Sequence, residues 1–143
     1  YKNEAATAKI LIDDWFYTGD LARIDNSGQI FLQGRMSDVI IRGGENISSV
    51  EIEKCLGRIE KIQEIAIVGV PDALLGEEIA AFITLKEGEV LEVDEVYAYA
   101  HKHLAKQEYP KHIFIKESLP YTASGKVKKY ELVEWFKKEN KND

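Results

Sequence analysis

The chain has 143 residues, 45% of them hydrophobic, which is enough for one domain with a core or for a small domain joined to part of a neighbour. Its formal net charge of -6 at pH 7 argues against nucleic-acid binding, which normally uses a basic surface. The single cysteine, Cys55, excludes an internal disulfide, and we predict a buried, inert thiol. The sequence has no CxxC pair and no HExxH motif, so we expect no zinc site.

The sequence also lacks targeting signals. No apolar run approaches the ~18 residues of a membrane span, and the first residues do not have the pattern of a secretory signal. The chain starts at Tyr1 rather than at a methionine, so we expect a fragment of a longer protein. The location that we expect for that protein is cytoplasmic, and any association with a membrane would be carried by the missing part.

The first part of the chain predicts a helical lead-in followed by a β-hairpin. Residues 1–13 have a weakly helical pattern, and the two runs WFYTGDLARI and QIFLQG then flank the turn sequence Asp25-Asn26-Ser27-Gly28. Two strands with exposed aromatic residues are marginally stable in water. We therefore expect this hairpin to pack on another part of the protein.

A polar link and a buried strand follow the hairpin. Gly34 and Arg35 precede Met36, Ser37 and Asp38, which is the pattern of a hinge. The apolar residues 39–41 are β-branched and predict a strand. Next come Gly43 and Gly44, which predict a turn that needs positive φ or a close approach of the backbone.

We predict that a helix follows this glycine turn at once, over residues 49–56. Ser48 and Glu51 have the spacing of a capping box, in which each side chain accepts a hydrogen bond from the other residue's backbone. The buried stripe of this helix is predicted to consist of Val50, Ile52 and Leu56.

The rest of the chain predicts two helices and three strands. Residues 62–70 and 78–86 are strands whose connection is too short for a crossover helix, so they are predicted to pair antiparallel. Further elements are expected at 94–106 (helix), 112–116 (strand) and 129–140 (helix). The fold class that follows is α+β, with helices packed on a short mixed or antiparallel sheet.

Two short segments carry residues suited to nucleotide chemistry. Asp20 follows Gly19, and its carboxylate can accept hydrogen bonds from both hydroxyls of a ribose. The segment LPYTASGKVKK brings Gly125, which permits close approach of the backbone, next to Lys126, a mobile point charge suited to phosphate or carboxylate oxygens. A Walker P-loop is excluded, because the first glycine of that motif is missing and Val127 follows the lysine.

Taken in order, the segments YTGD, GR, GGENIS with EIE, VGVPD and LPYTASGKVKKYEL resemble the adenylate-forming enzymes, in particular the acyl-CoA synthetases. The resemblance covers essentially the whole chain. It implies a two-step reaction, in which a carboxylate and ATP give an acyl-adenylate and pyrophosphate, and the thiol of coenzyme A then displaces AMP. It further implies that the small C-terminal domain rotates between the two steps.

The resemblance assigns a role to several residues. Lys126 is the lysine of the adenylation step, Asp20 and Arg35 contact the nucleotide, and Gly43 and Gly44 border the channel for coenzyme A. The pivot falls at Ser37, where the family more often has Asp or Lys, and the adjacent Asp38 can cover part of that role. ATP, coenzyme A and Mg²⁺ are the expected substrates and cofactor, and the Mg²⁺ ligand lies in the missing part, with no metal ligand here.

The resemblance also divides the chain. Residues 1–34 are the tail of the large N-terminal domain, and residues 35–143 are the mobile C-terminal domain, with the large domain as its partner. The chain alone is expected to be inactive. The acid is a small carboxylic acid, with a fatty acid as the first expectation. Two alternatives are an adenylation domain that passes the acyl group to a carrier protein and a non-catalytic binding module.

A row of lysines near the C-terminus is interpreted mainly as a solvated helix face, and the phosphates of coenzyme A are the alternative partner. Its members are Lys126, Lys128, Lys129, Lys137, Lys138 and Lys141. The three histidines have no partner pattern for a metal or a catalytic triad, and we assign them no chemistry.

Overall fold

The computed structural model of the chain describes residues 3–140. Its backbone contacts divide the chain into two compact units, Tyr1–Ser37 and Asp38–Asp143. The division falls inside the predicted polar link. A domain boundary of the enzyme at residues 34 and 35 remains a prediction. Tyr1 and Lys2 of the lead-in and Lys141 of the lysine row lie outside the described residues.

From residue 3 onward, the first unit contains one short α-helix and two separate pairs of strands. Helix α1 (Glu4–Ile10) confirms the helical lead-in, and β1 (Leu11–Ile12) pairs antiparallel with β2 (Trp15–Phe16). The hairpin itself consists of β3 (Asp20–Ile24) and β4 (Ile30–Arg35). The predicted first strand was therefore too long, because Trp15 and Phe16 pair with β1 and the chain then turns through Gly19 at φ 75°.

The second unit is built on a mixed five-stranded sheet flanked by three helices. The central strand β8 (Gly76–Leu85) pairs antiparallel with β7 (Ile62–Asp72), as predicted, and parallel with β9 (His112–Ile115). Strand β5 (Val39–Arg42) pairs with β6 (Glu45–Ser48) and meets β8 where Arg42 lies opposite Gly76. The helices are α2 (Ser49–Leu56), α3 (Val93–His103) and α4 (Lys129–Glu139).

Both faces of β8 are buried, and its alternating side chains contribute to two different cores. Ile79, Ala81 and Ile83 pack in the cluster that includes residues of α2 and α3. Ala80 and Phe82 pack in the cluster that includes Leu132 and Phe136 of α4. This alternation follows from the two-residue period of a strand, and it explains the nearly continuous apolar sequence of β8.

Strand β6 was not predicted. The glycine turn leads into β6 rather than directly into a helix, and β5 and β6 form a hairpin around Gly43 and Gly44. Both glycines have positive φ, 58° and 87°, as a two-residue type I′ turn requires. The expectation of a helix at once after the turn was therefore wrong.

Helix α2 begins and ends at the predicted residues. Ser48 is its N-cap, and its side chain accepts a hydrogen bond from the backbone N–H of Glu51 at 3.4 Å. Ile52 and Leu56 are fully buried, whereas Val50 is only half-buried. Ser49 is the third buried residue of this helix, so the predicted stripe was correct at two of its three positions.

The other elements differ from prediction mainly at their ends. Strand β7 continues through Pro71 to Asp72, because it is the edge strand and a proline without an N–H is tolerated there. Helix α3 ends at His103, and Lys106 belongs instead to a 3-10 helix, Lys106–Glu108. None of the helices within residues 3–140 is long and apolar enough to cross a membrane.

Cys55 is half-buried in α2 rather than buried. Its Sγ lies 3.9 Å from the backbone oxygen of His103, and the partial burial raises the pKa of the thiol. A raised pKa keeps the thiol protonated near neutral pH, which agrees with an unreactive cysteine.

Candidate functional site

In the first unit, Asp20 and Arg35 are brought together by the register of the hairpin. They are direct partners at one end of the β3 and β4 ladder, and Arg35 Nε lies 3.1 Å from Asp20 Oδ1. The side chain of Asp20 is 31% exposed, and that of Arg35 is 64% exposed. An accessible carboxylate can accept hydrogen bonds from sugar hydroxyls, and an accessible guanidinium can bind phosphate.

The backbone around this ion pair is fixed on both sides. Thr18 Oγ1 accepts a hydrogen bond from the backbone N–H of Asp20 at 3.1 Å. The N–H of Met36 donates to the backbone oxygen of Gly19 at 2.8 Å. The backbone that carries the Asp20 carboxylate is therefore held in place by hydrogen bonds at the end of the hairpin, next to the predicted hinge.

The two predicted hinge residues have different surroundings. Both belong to a short 3-10 helix, Met36–Asp38, and Ser37 is exposed. Asp38 is half-buried, and its Oδ1 lies 3.4 Å from Lys129 Nζ at the start of α4. The described residues thus include an ionic tether on Asp38, and no side-chain hydrogen bond or ion pair on Ser37.

The glycine turn rests on the turn between β7 and β8. The N–H of Gly43 donates to the backbone oxygen of Leu75 at 2.9 Å, and a Cβ added at Gly43 would lie 3.3 Å from Leu75 Cδ2. A Cβ added at Gly44 would have no heavy atom of the described residues within 4 Å. Of the two glycines, Gly44 therefore faces open space, where a ligand can approach the backbone.

A charged network that the sequence did not predict lies beside this turn. Glu78 is only 2% exposed, and its carboxylate accepts hydrogen bonds from Arg42 Nε and from Arg42 Nη2, the latter at 3.2 Å. Lys111 Nζ lies 3.0 Å from Asp72 Oδ2 and 3.9 Å from Glu78. A buried carboxylate needs such pairing. The pair of Arg42 and Glu78 joins β5 to β8 directly before the glycine turn.

The lysine loop, residues 118–127, is closed by its own backbone. Tyr121 and Val127 form an antiparallel bridge, and the N–H of Thr122 donates to the oxygen of Lys126 at 2.8 Å. Thr122 Oγ1 accepts a hydrogen bond from the N–H of Lys126 at 3.1 Å. Gly125 has a φ of 80°, which explains the glycine immediately before the lysine.

The side chain of Lys126 extends from this closed loop into solvent. Lys126 is exposed, and the ion pairs recorded within residues 3–140 do not include it. The loop is tied to the sheet by Tyr121, whose hydroxyl donates to Glu64 Oε2 on β7. This hydrogen bond raises the pKa of Tyr121. The arrangement combines a fixed backbone with a mobile cation.

Lys129 differs from the other lysines near the C-terminus. Its Nζ lies 2.8 Å from Glu53 Oε1, 3.0 Å from Ser49 Oγ and 3.4 Å from Asp38 Oδ1. Its side chain is 26% exposed, so the interpretation as part of a solvated face was wrong for this residue. No local sequence pattern predicts these contacts, because the partners of Lys129 are far away along the chain.

Lys128, whose side chain is 30% exposed, makes a local ion pair with Glu131, three residues further along the chain. Lys137 is likewise paired with Glu134 across one turn.

Some of the predicted site residues are therefore neighbours in the structure and others are not. Asp20 contacts Arg35, whereas no hydrogen bond or ion pair recorded within residues 3–140 joins the glycine turn to Lys126. No group of three or more His, Cys, Asp or Glu side chains comes together in this part of the chain to hold a metal ion.

Proteins similar to this chain are known by family profile, by sequence and by structure. The profile of the AMP-binding enzyme C-terminal domain matches residues 51–126. The medium-chain fatty-acid–CoA ligase of Escherichia coli K12 is 44% identical over 129 residues, which are 88% of this chain and 23% of that protein. The 2-succinylbenzoate–CoA ligase of Listeria innocua is 45% identical over 132 residues, which are 92% of this chain and 28% of that protein.

Among solved structures, the crystal structure of ATP-bound MatB from Rhodopseudomonas palustris matches with a TM-score of 0.82 at 33% identity. The match covers 96% of this chain and 27% of that one. The chain thus spans about a quarter of the length of the proteins that it matches.

Proposed function

Because the chain belongs to the AMP-binding enzyme C-terminal domain family, we propose that it forms the C-terminal part of an ATP-dependent acid–CoA ligase. In the first step, a carboxylate oxygen attacks the α-phosphorus of ATP, the bond to the β-phosphate oxygen breaks, and pyrophosphate leaves. In the second step, the thiol of coenzyme A loses its proton and attacks the acyl carbon, and AMP leaves as the thioester forms.

The observation that carries this proposal is the presentation of Lys126. Its ammonium extends from a loop whose backbone is closed by hydrogen bonds on both sides of the lysine. In the adenylation step, negative charge shifts between the carboxylate, the α-phosphate and the leaving pyrophosphate. A preorganised cation at these oxygens stabilises the transition state, typically by a factor of 10²–10³ in rate.

Asp20 and Arg35 are proposed to bind the nucleotide. The carboxylate of Asp20 accepts hydrogen bonds from the ribose hydroxyls, and Arg35, its neighbour across the hairpin, supplies positive charge next to it. This role is supported by their exposure and by the rigid backbone at Gly19 and Met36.

The glycine turn is proposed to serve the second step. Gly44 has no side chain and open space on its Cβ side, so the arm of coenzyme A can pass close to its backbone. A rotation near Ser37 then turns the lysine loop away from the active site and brings the glycine turn into it. Residues 35–143 form the mobile domain in this proposal, and residues 1–34 belong to the large domain.

The large N-terminal domain is the proposed partner of the first unit. Large apolar side chains on this unit are exposed, including Trp15 at 74% and Leu32 at 75%. Trp15 and Leu32 lie on two separate two-stranded pairs, and exposed apolar side chains on such pairs are normally covered by another part of the protein. The carboxylate pocket, most of the ATP site and the Mg²⁺ ligands are assigned to that domain, where Mg²⁺ would neutralise charge on the phosphates.

A fatty acid is the first candidate for the substrate, since one of the relatives is named for a medium-chain fatty acid. The second relative, of nearly equal identity, is named for 2-succinylbenzoate. The acid must therefore be identified by experiment, because its pocket lies outside this chain.

The proposal is tested by supplying the full-length enzyme with ATP, Mg²⁺ and a panel of fatty, aryl and short-chain acids. Pyrophosphate release without coenzyme A reports the first step, and thioester formation after its addition reports the second. We expect both for at least one acid, and neither for the 143-residue chain alone. Pyrophosphate release without any thioester would favour transfer to a carrier protein.

A further inference from the structure

We infer that Lys129 is a positioning residue that clamps Asp38 to the second unit, so that the proposed rotation is taken up by the backbone of Ser37. This inference rests on the proposed function for its meaning, although the clamp itself is measurable without any activity. The resemblance places the pivot at Ser37 and lets the adjacent Asp38 cover part of that role. The contacts of the two residues separate them.

Lys129 is anchored to two elements of the second unit. Its Nζ binds Glu53 Oε1 at 2.8 Å and Ser49 Oγ at 3.0 Å, and Ser49 is only 1% exposed. Glu53 Oε1 also accepts a hydrogen bond from the backbone N–H of Ile67 at 2.8 Å. The ammonium is thus held by α2, and through Glu53 by the central part of β7.

Asp38 is attached to this anchored ammonium. Asp38 Oδ1 lies 3.4 Å from Lys129 Nζ, and both side chains are 26% exposed. Partial burial reduces the screening that makes most surface ion pairs ineffective. Asp38 is also followed directly by β5, whose hydrogen bonds to β6 begin with Val39 opposite Ser48. Asp38 therefore moves with the second unit.

Ser37 lacks such a tether among the residues that the structure describes. It is exposed, and the division between the two units falls directly after it. Its side chain makes none of the hydrogen bonds recorded within residues 3–140. A residue whose side chain is untethered can change φ and ψ without breaking a side-chain contact, which suits a hinge residue. The neighbouring clamp therefore makes Ser37 the pivot.

The clamp is tested first by amide hydrogen exchange on the full-length enzyme, followed by mass spectrometry with residue-level fragmentation. Lys129→Met keeps the length of the side chain but removes its charge, and Asp38→Asn removes only the acceptor charge. Each should increase the exchange rate at Asp38 and Val39 on the order of threefold to tenfold, as expected for one partly buried ion pair. Lys129→Arg should restore most of the protection.

Lys128→Met is the matched control, because Lys128 is adjacent in sequence but pairs with Glu131 on the same helix. It should leave the exchange of Asp38 unchanged. The clamp is refuted if Lys129→Met leaves exchange at Asp38 unchanged. It is equally refuted if exchange rises by the same factor throughout β7 and β8, since that result indicates general destabilisation.

The consequence for the pivot is tested in the full-length enzyme by a suppressor experiment. Ser37→Pro fixes φ near -65° and should depress one half-reaction at least ~10-fold while sparing the other, because the rotation is blocked. Adding Asp38→Asn or Lys129→Met releases Asp38 to take over part of the rotation. The depressed half-reaction should then recover about threefold or more.

If a residue only stabilises the fold, its mutation should lower the activity of the Ser37→Pro enzyme further. Recovery of activity is therefore specific to the clamp. Lys128→Met in the same background should give no recovery. The pivot assignment is overturned if Ser37→Pro spares both half-reactions or if neither second change gives recovery. If the wild-type enzyme releases no pyrophosphate with any acid, the proposed ligase function fails, and the exchange experiment still decides whether the clamp exists.

Discussion

At the scale of single residues, the candidate site depends on positions where a side chain is either freely presented or absent. Lys126 has an exposed ammonium on a fixed loop, and Gly44 has a positive φ with open space at its missing Cβ. Lys129 is the opposite case, since its ammonium is bound to two carboxylates and a hydroxyl. The two lysines are three positions apart, and their contacts assign them to different tasks.

The role of Gly44 is tested by comparing Gly44→Leu with Gly44→Ala in the full-length enzyme. Both variants strain a backbone with a φ of 87°, and only leucine adds bulk where the arm of coenzyme A is proposed to pass. We expect Gly44→Leu to retain pyrophosphate exchange and to form little thioester, and Gly44→Ala to retain much of both. If pyrophosphate exchange falls as far as thioester yield in a folded Gly44→Leu enzyme, the turn only supports the fold.

At the scale of elements, the lysine loop and the β7–β8 hairpin are each held by one side chain at a strand. Tyr121 joins the loop to Glu64 of β7, and Asp72 closes the turn at the end of β7. Asp72 Oδ1 accepts hydrogen bonds from the N–H groups of Leu74 and Leu75, both at 3.0 Å. The β7–β8 turn supports the glycine turn, because the backbone oxygen of Leu75 accepts a hydrogen bond from the N–H of Gly43.

Tyr121→Phe should loosen the lysine loop without changing the fold. We expect the rate of adenylation in the full-length enzyme to fall roughly threefold to tenfold, as suits the loss of one exposed hydrogen bond to a charged acceptor. Tyr130→Phe removes a similar hydroxyl that donates to Glu131 at 3.1 Å outside the loop, and it should have no such effect. Equal rates for the two variants would contradict a positioning role of Tyr121.

Asp72 is expected to make the stability of the fold depend on pH in the acid range. Hydrogen bonds from the N–H of Leu75, from Lys111 and from the N–H of Leu74 lower its pKa from 3.8 to about 2. Because the pKa is lower in the folded state, Asp72 stabilises the fold above about pH 4, and this contribution is lost as the pH falls towards 2. Asp72→Asn should lower the urea midpoint at pH 5, and the difference from wild type should shrink by pH 2.

The exposed Glu87, in the loop after β8, offers a control for this experiment. Glu87→Gln should leave the urea midpoint close to that of wild type at both pH values. A difference between Asp72→Asn and wild type that stays constant from pH 5 to pH 2 would contradict the assigned source of the stability.

Elements that depend on neighbouring residues were predicted better from the sequence than elements that depend on pairing. Helix α2 was predicted at its correct ends because its N-cap, Ser48, and its apolar positions act within a few residues. Strand β6 was missed because Glu45–Ser48 contains a single apolar residue, Ile47, and becomes a strand only by pairing with β5. Pairing is a tertiary property, and only the two glycines at the turn were a local signal for it.

For the candidate site, the sequence located the loops but not the contacts that hold them. Lys126 and the glycine turn were found from their segments, and their proposed roles remain predictions. The clamp between Lys129 and Asp38 joins residues far apart in the chain, and no periodicity or spacing rule links them. The buried Glu78 with Arg42 was missed for the same reason.

At the scale of the whole molecule, the chain consists of two units divided between Ser37 and Asp38. The family profile lies entirely in the second unit, at residues 51–126. In the proposed enzyme, the first unit remains with the large domain and the second carries both the lysine loop and the glycine turn. One mobile body then serves two chemical steps by presenting different loops.

Limited proteolysis of the full-length enzyme tests this division. Trypsin should cut first beside the Met36–Asp38 segment, for instance after the exposed Arg35, because a hinge opens more readily than the turns within a domain. Arg58 and Lys86, in loops of the second unit, serve as internal controls that should be cut later. First cuts confined to those or other regions would count against the hinge.

The central claim, that Lys126 acts in adenylation and not in thioester formation, is tested most directly by Lys126→Ala in the full-length enzyme. Pyrophosphate release with ATP and the acid should fall on the order of 10²–10³-fold, because a preorganised cation is lost from the transition state. Thioester formation from supplied acyl-adenylate and coenzyme A should be much less affected, since the lysine loop is then turned away. Equal loss in both half-reactions would contradict the account.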